Sequence, residues 1–237
     1  ACSVSATGKV TALLANKTCE ITVKNIGDSN YEAVEKDIAL TTTLGTQTGI
    51  SVTASPATLA VGGTSVLSAS GGQTSADATF SVDAGSQNVC EMVQGSTNQV
   101  TAKTVGTCKV TANLPANDNY ASAAKSWDIT VTKGSLAGLN VHASKSPLVF
   151  GESATLSTDA TNSTGALSYQ VSGPCRIDNG NELVTQGAGN CLVTATQAAD
   201  DNYTQAAGTL SVTVEQATQA ALQITPVTGM KPGDSVT

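Results

Sequence analysis

From Cys108 to Leu114 every second residue is apolar (Cys108, Val110, Ala112, Leu114), and Lys109, Thr111 and Asn113 stand between them. A period of two places one set of side chains on a core and the other in water, so this stretch predicts a half-buried β-strand. The same alternation follows Cys191 (Val193, Ala195) and Cys19 (Ile21, Val23). In all three places Asn and Asp then break the run, as a turn requires, and a Tyr falls 12 positions after the Cys (Tyr31, Tyr120, Tyr203). The copies read GTCKVTANLPANDNYASAA from Gly106, GNCLVTATQAADDNYTQAA from Gly189 and, more loosely, KTCEITVKNIGDSNYEAVE from Lys17. A unit repeated in this way makes the chain an array of small domains.

Extending the repeat outward divides the chain. Residues 1–49 match the back half of a unit, with strands expected near Cys2, Lys9 to Leu14, Cys19 to Val23 and Ile38 to Thr42. Residues 50–138 form a complete unit. Its strands are expected at ISVTAS, SVLSAS, Thr79 to Val82, Val89 to Met92, Gln99 to Thr104, the strand of Cys108, and Trp127 to Val131. Residues 139–221 repeat that order, and residues 222–237 start the first strands of a further unit. Ile50, Leu139 and Leu222 are equivalent, giving periods of 89 (139−50) and 83 (222−139). About seven short strands per unit, separated by Gly, Ser, Asn and Pro, predict an all-β fold of tandem sandwiches. The junctions hold no proline run or charged block, so the expected arrangement is an elongated, semi-stiff rod.

Composition narrows the function. Aromatic residues make up 3% of the chain, so the cores must be built from Val, Ile, Leu and Ala. The net charge is −7 and Arg176 is the one arginine, which excludes a phosphate-binding face and with it nucleic acid. No run of 18 apolar residues exists, so no membrane insertion is expected in this segment. Six cysteines fall into pairs with separations of 17 (Cys2, Cys19), 18 (Cys90, Cys108) and 16 (Cys175, Cys191). Without Cys-x-x-Cys or His partners they read as one disulfide per unit rather than a zinc site, which implies an oxidising compartment.

The organising strand and its turn resemble the bacterial Ig-like (Big-type) tandem repeats of large secreted and surface adhesins. Those repeats carry Gly-Thr-Cys-x-Val/Ile-x-Ala and then Asp/Asn-x-Asn-Tyr-x-x-Ala. The matching positions are Gly106, Thr107, Cys108, Val110, Ala112, Asp118, Asn119, Tyr120 and Ala123, and again Gly189, Cys191, Val193, Ala195, Asp201, Asn202, Tyr203 and Ala206. The first copy departs, with Lys17 for Gly and Val23 for Ala. The resemblance implies immunoglobulin-like sandwiches in an extracellular stalk at a bacterial cell surface. The cysteine pairs are too close in sequence for the antibody pattern, and are expected to staple one end of adjacent strands.

Candidate site residues are few. Tyr31, Tyr120 and Tyr203, with Asn30, Asn119 and Asn202, are expected to shape structural corners. Asp118, Asp200 and Asp201 are oxygen donors that calcium could use, but one or two carboxylates per turn is a thin supply, and Asp caps turns without metal. Trp127 shares parity with Ile129 and Val131 and is expected in the core. His142 is solitary, and no nucleophile elbow or phosphate loop accompanies it. No cofactor is called for. The function expected is a non-catalytic structural spacer in an adhesin or filament. Its partners would be neighbouring repeats of the same polypeptide, with self-association into fibres at unpaired strand edges. The alternative is an accessory carbohydrate- or ligand-binding module of a secreted enzyme, which the shortage of aromatic platforms disfavours.

Overall fold

The computed structural model describes residues 1–235 and divides into two compact units. The first holds Ala1–Ser135 together with Ala199–Thr204, and the second holds Leu136–Ala198 and the chain from Gln205 onward.

In the first unit, β1 (Cys2–Val4) pairs antiparallel with β2 (Val10–Ala12), and β3 (Thr18–Asn25) with β4 (Val34–Thr41). A complete sandwich follows: β5 (Ser51–Ser55), β6 (Thr58–Ala60), β7 (Thr64–Ser70), β8 (Thr79–Val82), β9 (Cys90–Met92), β10 (Gln99–Ala102), β11 (Gly106–Leu114) and β12 (Ala123–Thr132). One sheet has the order β5-β7-β10-β9 and the other β6-β12-β11-β8. Every pairing is antiparallel except β6 on β12, which is parallel. This is the strand order of an immunoglobulin sandwich whose opening strand is split between the two sheets. The crossing falls at the cis Ser55–Pro56 peptide, where Pro56 has no N–H to continue the β5 ladder. β6, the three-residue piece beyond it, is the one strand of the sandwich that the sequence pattern did not predict.

The second unit repeats the plan with β13 (Val141–Ala143), β14 (Leu148–Val149), β15 (Ser153–Thr158), β16 (Leu167–Ser172), β17 (Cys175–Asp178), β18 (Glu182–Thr185), β19 (Gly189–Gln197) and β20 (Ala206–Glu215). Its sheets are β13-β15-β18-β17 and β14-β20-β19-β16, with β14 parallel to β20 and a second cis crossing at Ser146–Pro147. The protein is thus an all-β chain of tandem immunoglobulin-like sandwiches.

Both cores are aliphatic. Leu59, Leu67, Val100, Val110 and Ile129 are buried in the first sandwich, and Leu148, Leu156, Leu183, Val193 and Val212 in the second. Aromatic side chains contribute only from the margin, through Phe80 and Tyr169. Into each core the structure adds a disulfide, Cys90–Cys108 and Cys175–Cys191, with Cα atoms 5.7 and 6.0 Å apart. These bridges do not staple adjacent strands, contrary to expectation. Cys90 lies on β9, at the edge of one sheet, and Cys108 on β11, inside the other, so the bond crosses the sandwich. Sequence proximity misleads because β9 and β11 belong to opposite sheets although only β10 separates them along the chain. Cys2–Cys19 likewise joins β1 to β3, in different two-stranded sheets.

Other expectations shift at the margins of the sandwiches. Trp127 shares its face with Ile129 and Val131 but remains 39% exposed, so it is not a core residue. Its parity is inward, yet the burial of β12 begins only at Ile129. Val23 and Ile38 are also exposed, because three-residue β1 and β2 offer too little surface to cover the eight-residue β3 and β4. The opening strand expected at Leu222 does not form among the described residues, where Leu222 and Ile224 face solvent. A strand needs a partner for its N–H and C=O groups, and this segment has none there.

With so little aromatic surface buried, replacing Cys90 and Cys108 together by Ala should lower the urea-unfolding free energy of that sandwich by about 3 kcal/mol. The paired change at Cys175 and Cys191 should do the same to the second.

Candidate functional site

The repeated turn is built by one acceptor. Asp28 Oδ1 accepts from the N–H of Asn30 at 2.8 Å and of Tyr31 at 3.0 Å. Asn117 Oδ1 does so for Asn119 (2.9 Å) and Tyr120 (2.8 Å), and Asp200 Oδ1 for Asn202 (2.8 Å) and Tyr203 (2.7 Å). The loop closes with the N–H of Asp28, Asn117 and Asp200 donating to the carbonyl of the Tyr. This is the local side-chain-to-backbone bonding that favours Asx residues in turns. Carboxylate and amide are interchangeable at the position, so it uses a lone pair and not a charge.

Of the calcium candidates, Asp200 thus directs an oxygen at its own turn, while Asp118 and Asp201 sit one residue further on, exposed and on separate turns. Among the described residues no three His, Cys, Asp or Glu side chains gather. His142 Nε2 lies 2.9 Å from Asp159 Oδ1 at the surface. The Asp159 carboxyl is held below its usual range, first by the Asn140 amide and then by His142.

What two of the turns then do was not legible in the sequence. Asn119 Oδ1 accepts from the N–H of buried Ala15 at 2.9 Å, Asn119 O accepts from Gly45 N–H at 2.8 Å, and Gly45 O accepts from Ala121 N–H at 2.9 Å. The turn of Ala199–Thr204, which also belongs to the first unit, makes the same three bonds. Asn202 Oδ1 accepts from Val105 N–H, Asn202 O from Gly134 N–H, and Gly134 O from Thr204 N–H, each at 2.9 Å. In both, the Asn-Tyr segment forms a parallel bridge with a glycine, Gly45 to Tyr120 and Gly134 to Tyr203. The tyrosine ring then lies against that glycine. A Cβ on Gly45 would stand 3.0 Å from the Tyr120 ring, and one on Gly134 would stand 3.2 Å from the Tyr203 ring and 3.1 Å from Val61 O. The seat reads the turn through main-chain groups and needs glycine for the close approach.

Gln47, buried two residues past the first seat, ties it further into the sandwich. Its Nε2 donates to Pro115 O (3.0 Å) and Ala121 O (2.9 Å), and its Oε1 accepts from Thr74 Oγ1 at 3.2 Å. One signal in the sequence pointed to these seats. Gly45 and Gly134 are separated by the same 89 residues as Cys19 and Cys108. The third turn has no such seat: Asn30 is exposed and Tyr31 is 76% exposed.

No protein family and no curated protein matches the sequence. Among solved structures, the chain is similar to a protocadherin GammaB4 extracellular domain (16% identity, TM-score 0.37), over 91% of this chain and 41% of that one. It is also similar to domains 4 and 5 of the S-layer protein SbsC (13%, TM-score 0.29, 72% of this chain and 100% of that one). A third likeness is to fibronectin(III)-like modules of Clostridium thermocellum CbhA (15%, TM-score 0.26, 74% and 100%). The chain therefore spans less than half of the protocadherin structure. The immunoglobulin-like assignment rests on the strand order above.

Replacing Asn119 by Ala should strand the buried Ala15 N–H and cost about 1–3 kcal/mol in urea unfolding of the first unit. Asn119→Asp keeps an acceptor at the same reach and should recover most of that loss.

Proposed function

We propose that this chain is a structural spacer: a disulfide-stapled string of immunoglobulin-like modules in an extracellular adhesin or surface filament of the bacterial Ig-like repeat type, without catalysis. The observation that carries the reading is the parallel pairing of opening and closing strands, Thr58–Ala60 on Thr130–Thr132 and Leu148–Val149 on Val214–Glu215. Tension drawn through the chain pulls β6 toward its N-terminal end and β12 toward its C-terminal end. Because the two strands run the same way, that force slides them past each other and loads their hydrogen bonds together. An antiparallel pair at the same place would unzip one bond at a time. A module meant to bear load gains from this arrangement, whereas one meant only to bind has no use for it.

The cystines add a second limit. Once a sandwich yields, Cys90–Cys108 and Cys175–Cys191 still withhold the chain between them, 18 and 16 residues in sequence separation. The buried position of Cys90, Cys108 and Cys191 keeps these bonds from reductant while the module is folded. Disulfides of this kind persist in oxidising surroundings, which supports an extracellular location.

Single-molecule pulling tests the proposal. In reductant the unfolding step should lengthen by roughly 55 Å for the sandwich of Cys90–Cys108 and roughly 50 Å for that of Cys175–Cys191, from about 3.3–3.6 Å per residue released. Replacing Thr58 or Leu59 by Pro, which removes a β6 N–H or disturbs its neighbour, should lower the unfolding force of that module. Unfolding forces near the instrument's floor for the unmodified chain would refute a load-bearing role.

A further inference from the structure

The second unit carries an empty version of the seat that the first unit fills twice. By the 83-residue period, Val105, Gly134 and Val61 correspond to Ala188, Ala217 and Phe150 (188−105, 217−134; Phe150 follows Leu148 as Val61 follows Leu59). The correspondence holds in the strands: β6 and β14 pair in parallel with β12 and β20, Val61 N–H donates to Thr132 O and Phe150 N–H to Glu215 O. Phe150, Ala188 and Ala217 together line one depression of about 630 Å³ with Gln186, Gly187 and Gln219. Ala188 and Ala217 are exposed, as is half of Phe150 (49%). Among the described residues, neither alanine N–H has a hydrogen-bond partner, while Val105 N–H and Gly134 N–H are both taken.

The matching plug also lies on this chain. The turn Asp28 to Tyr31 has the internal bonds of the two seated turns, so it needs no refolding to dock. Its Asn30 and Tyr31 are exposed where Asn119, Tyr120, Asn202 and Tyr203 are partly buried. We infer that the Asn30-Tyr31 turn of one copy docks on the Ala188/Ala217 seat of a second copy, joining molecules head to tail. The Asn30 amide oxygen would accept from Ala188 N–H, Asn30 O from Ala217 N–H, and the Tyr31 ring would lie between Ala217 and Phe150. The two surfaces are different, so the contact is heterologous and each added copy leaves a free seat and a free turn. The inference stands on seat geometry and holds whether or not the chain bears load.

The seat differs from its counterparts in one way that sharpens the test. Where they have glycine, it has the methyl of Ala217. A Cβ at the other two seats would push the ring back by a few tenths of an ångström. The contact is therefore weaker than the two within the chain, and it also lacks their tether. A dissociation constant on the order of 0.1–1 mM follows from three main-chain bonds and one ring.

Amide NMR of the whole chain from roughly 20 µM to 1 mM, with sedimentation equilibrium, reads the contact directly. The resonances of Ala188, Ala217, Asn30 and Tyr31 should move with concentration, and the mass should keep rising past the dimer. Tyr31→Ala, at an exposed position outside both sandwich cores, should weaken association about tenfold or more, and Ala217→Gly should tighten it about fivefold. No concentration dependence up to 1 mM would overturn the inference. So would a closed dimer, shifts confined to other surfaces, or an association that Tyr31→Ala leaves unchanged.

Discussion

A sulfur–sulfur bond across a thin aliphatic core is the constraint on which the rest of each sandwich depends. With Val, Leu and Ile as its largest fully buried side chains, a sheet pair of this size has little apolar area to hold it shut. The cystine sits where the two sheets must not part, between the edge strand β9 and the interior strand β11, or β17 and β19. It also pins the start of the long strand whose far end carries the turn. β11 is nine residues long, with Cys108 in its third position. The tyrosine turn that follows Leu114 is thus presented from a strand fixed near its other end and paired on both sides, by β8 and β12.

From there the logic passes to the main chain. Each seated turn is held by an Asn amide oxygen and two backbone bonds, with a ring laid over glycine. None of these contacts depends on a particular side chain in the seat apart from the missing one. That explains how Ala15 and Val105, which share no chemistry beyond an N–H, can serve the same purpose. It also explains why the two junctions can differ around the seat, with Gln47 and its four-partner network in one and Leu136 at the equivalent place in the other.

Sandwiches closed by a parallel strand pair, stapled by a cystine and ended by a rigid turn share a requirement for shape more than for chemistry. The polar side chains that look reactive in the sequence have structural work within the fold. Asp28 and Asp200 direct oxygens at their own turns, and Asp159 is bonded to Asn140 and His142. Glu152 binds Lys145 Nζ at 2.5 Å and the Val149 N–H at 2.8 Å, an arrangement that holds its carboxyl below the usual range and closes the turn from β14 to β15.

The sequence by itself determined the all-β class, the repeat and its turns, because period-two alternation and Asx-turn chemistry are local and act within a dozen residues. It also placed the strands of both sandwiches, apart from β6 and β14, whose two or three residues are too short to show a period. It could not determine which sheet each cysteine faced, since strand order is a property of pairing at long range and β9 and β11 part company only in space. It placed Trp127 on the correct face but could not say where the opposite sheet stops. The seats lay beyond it altogether: main-chain N–H groups leave no mark in a sequence, and only the folded chain decided which of them would meet an asparagine and which would stay open.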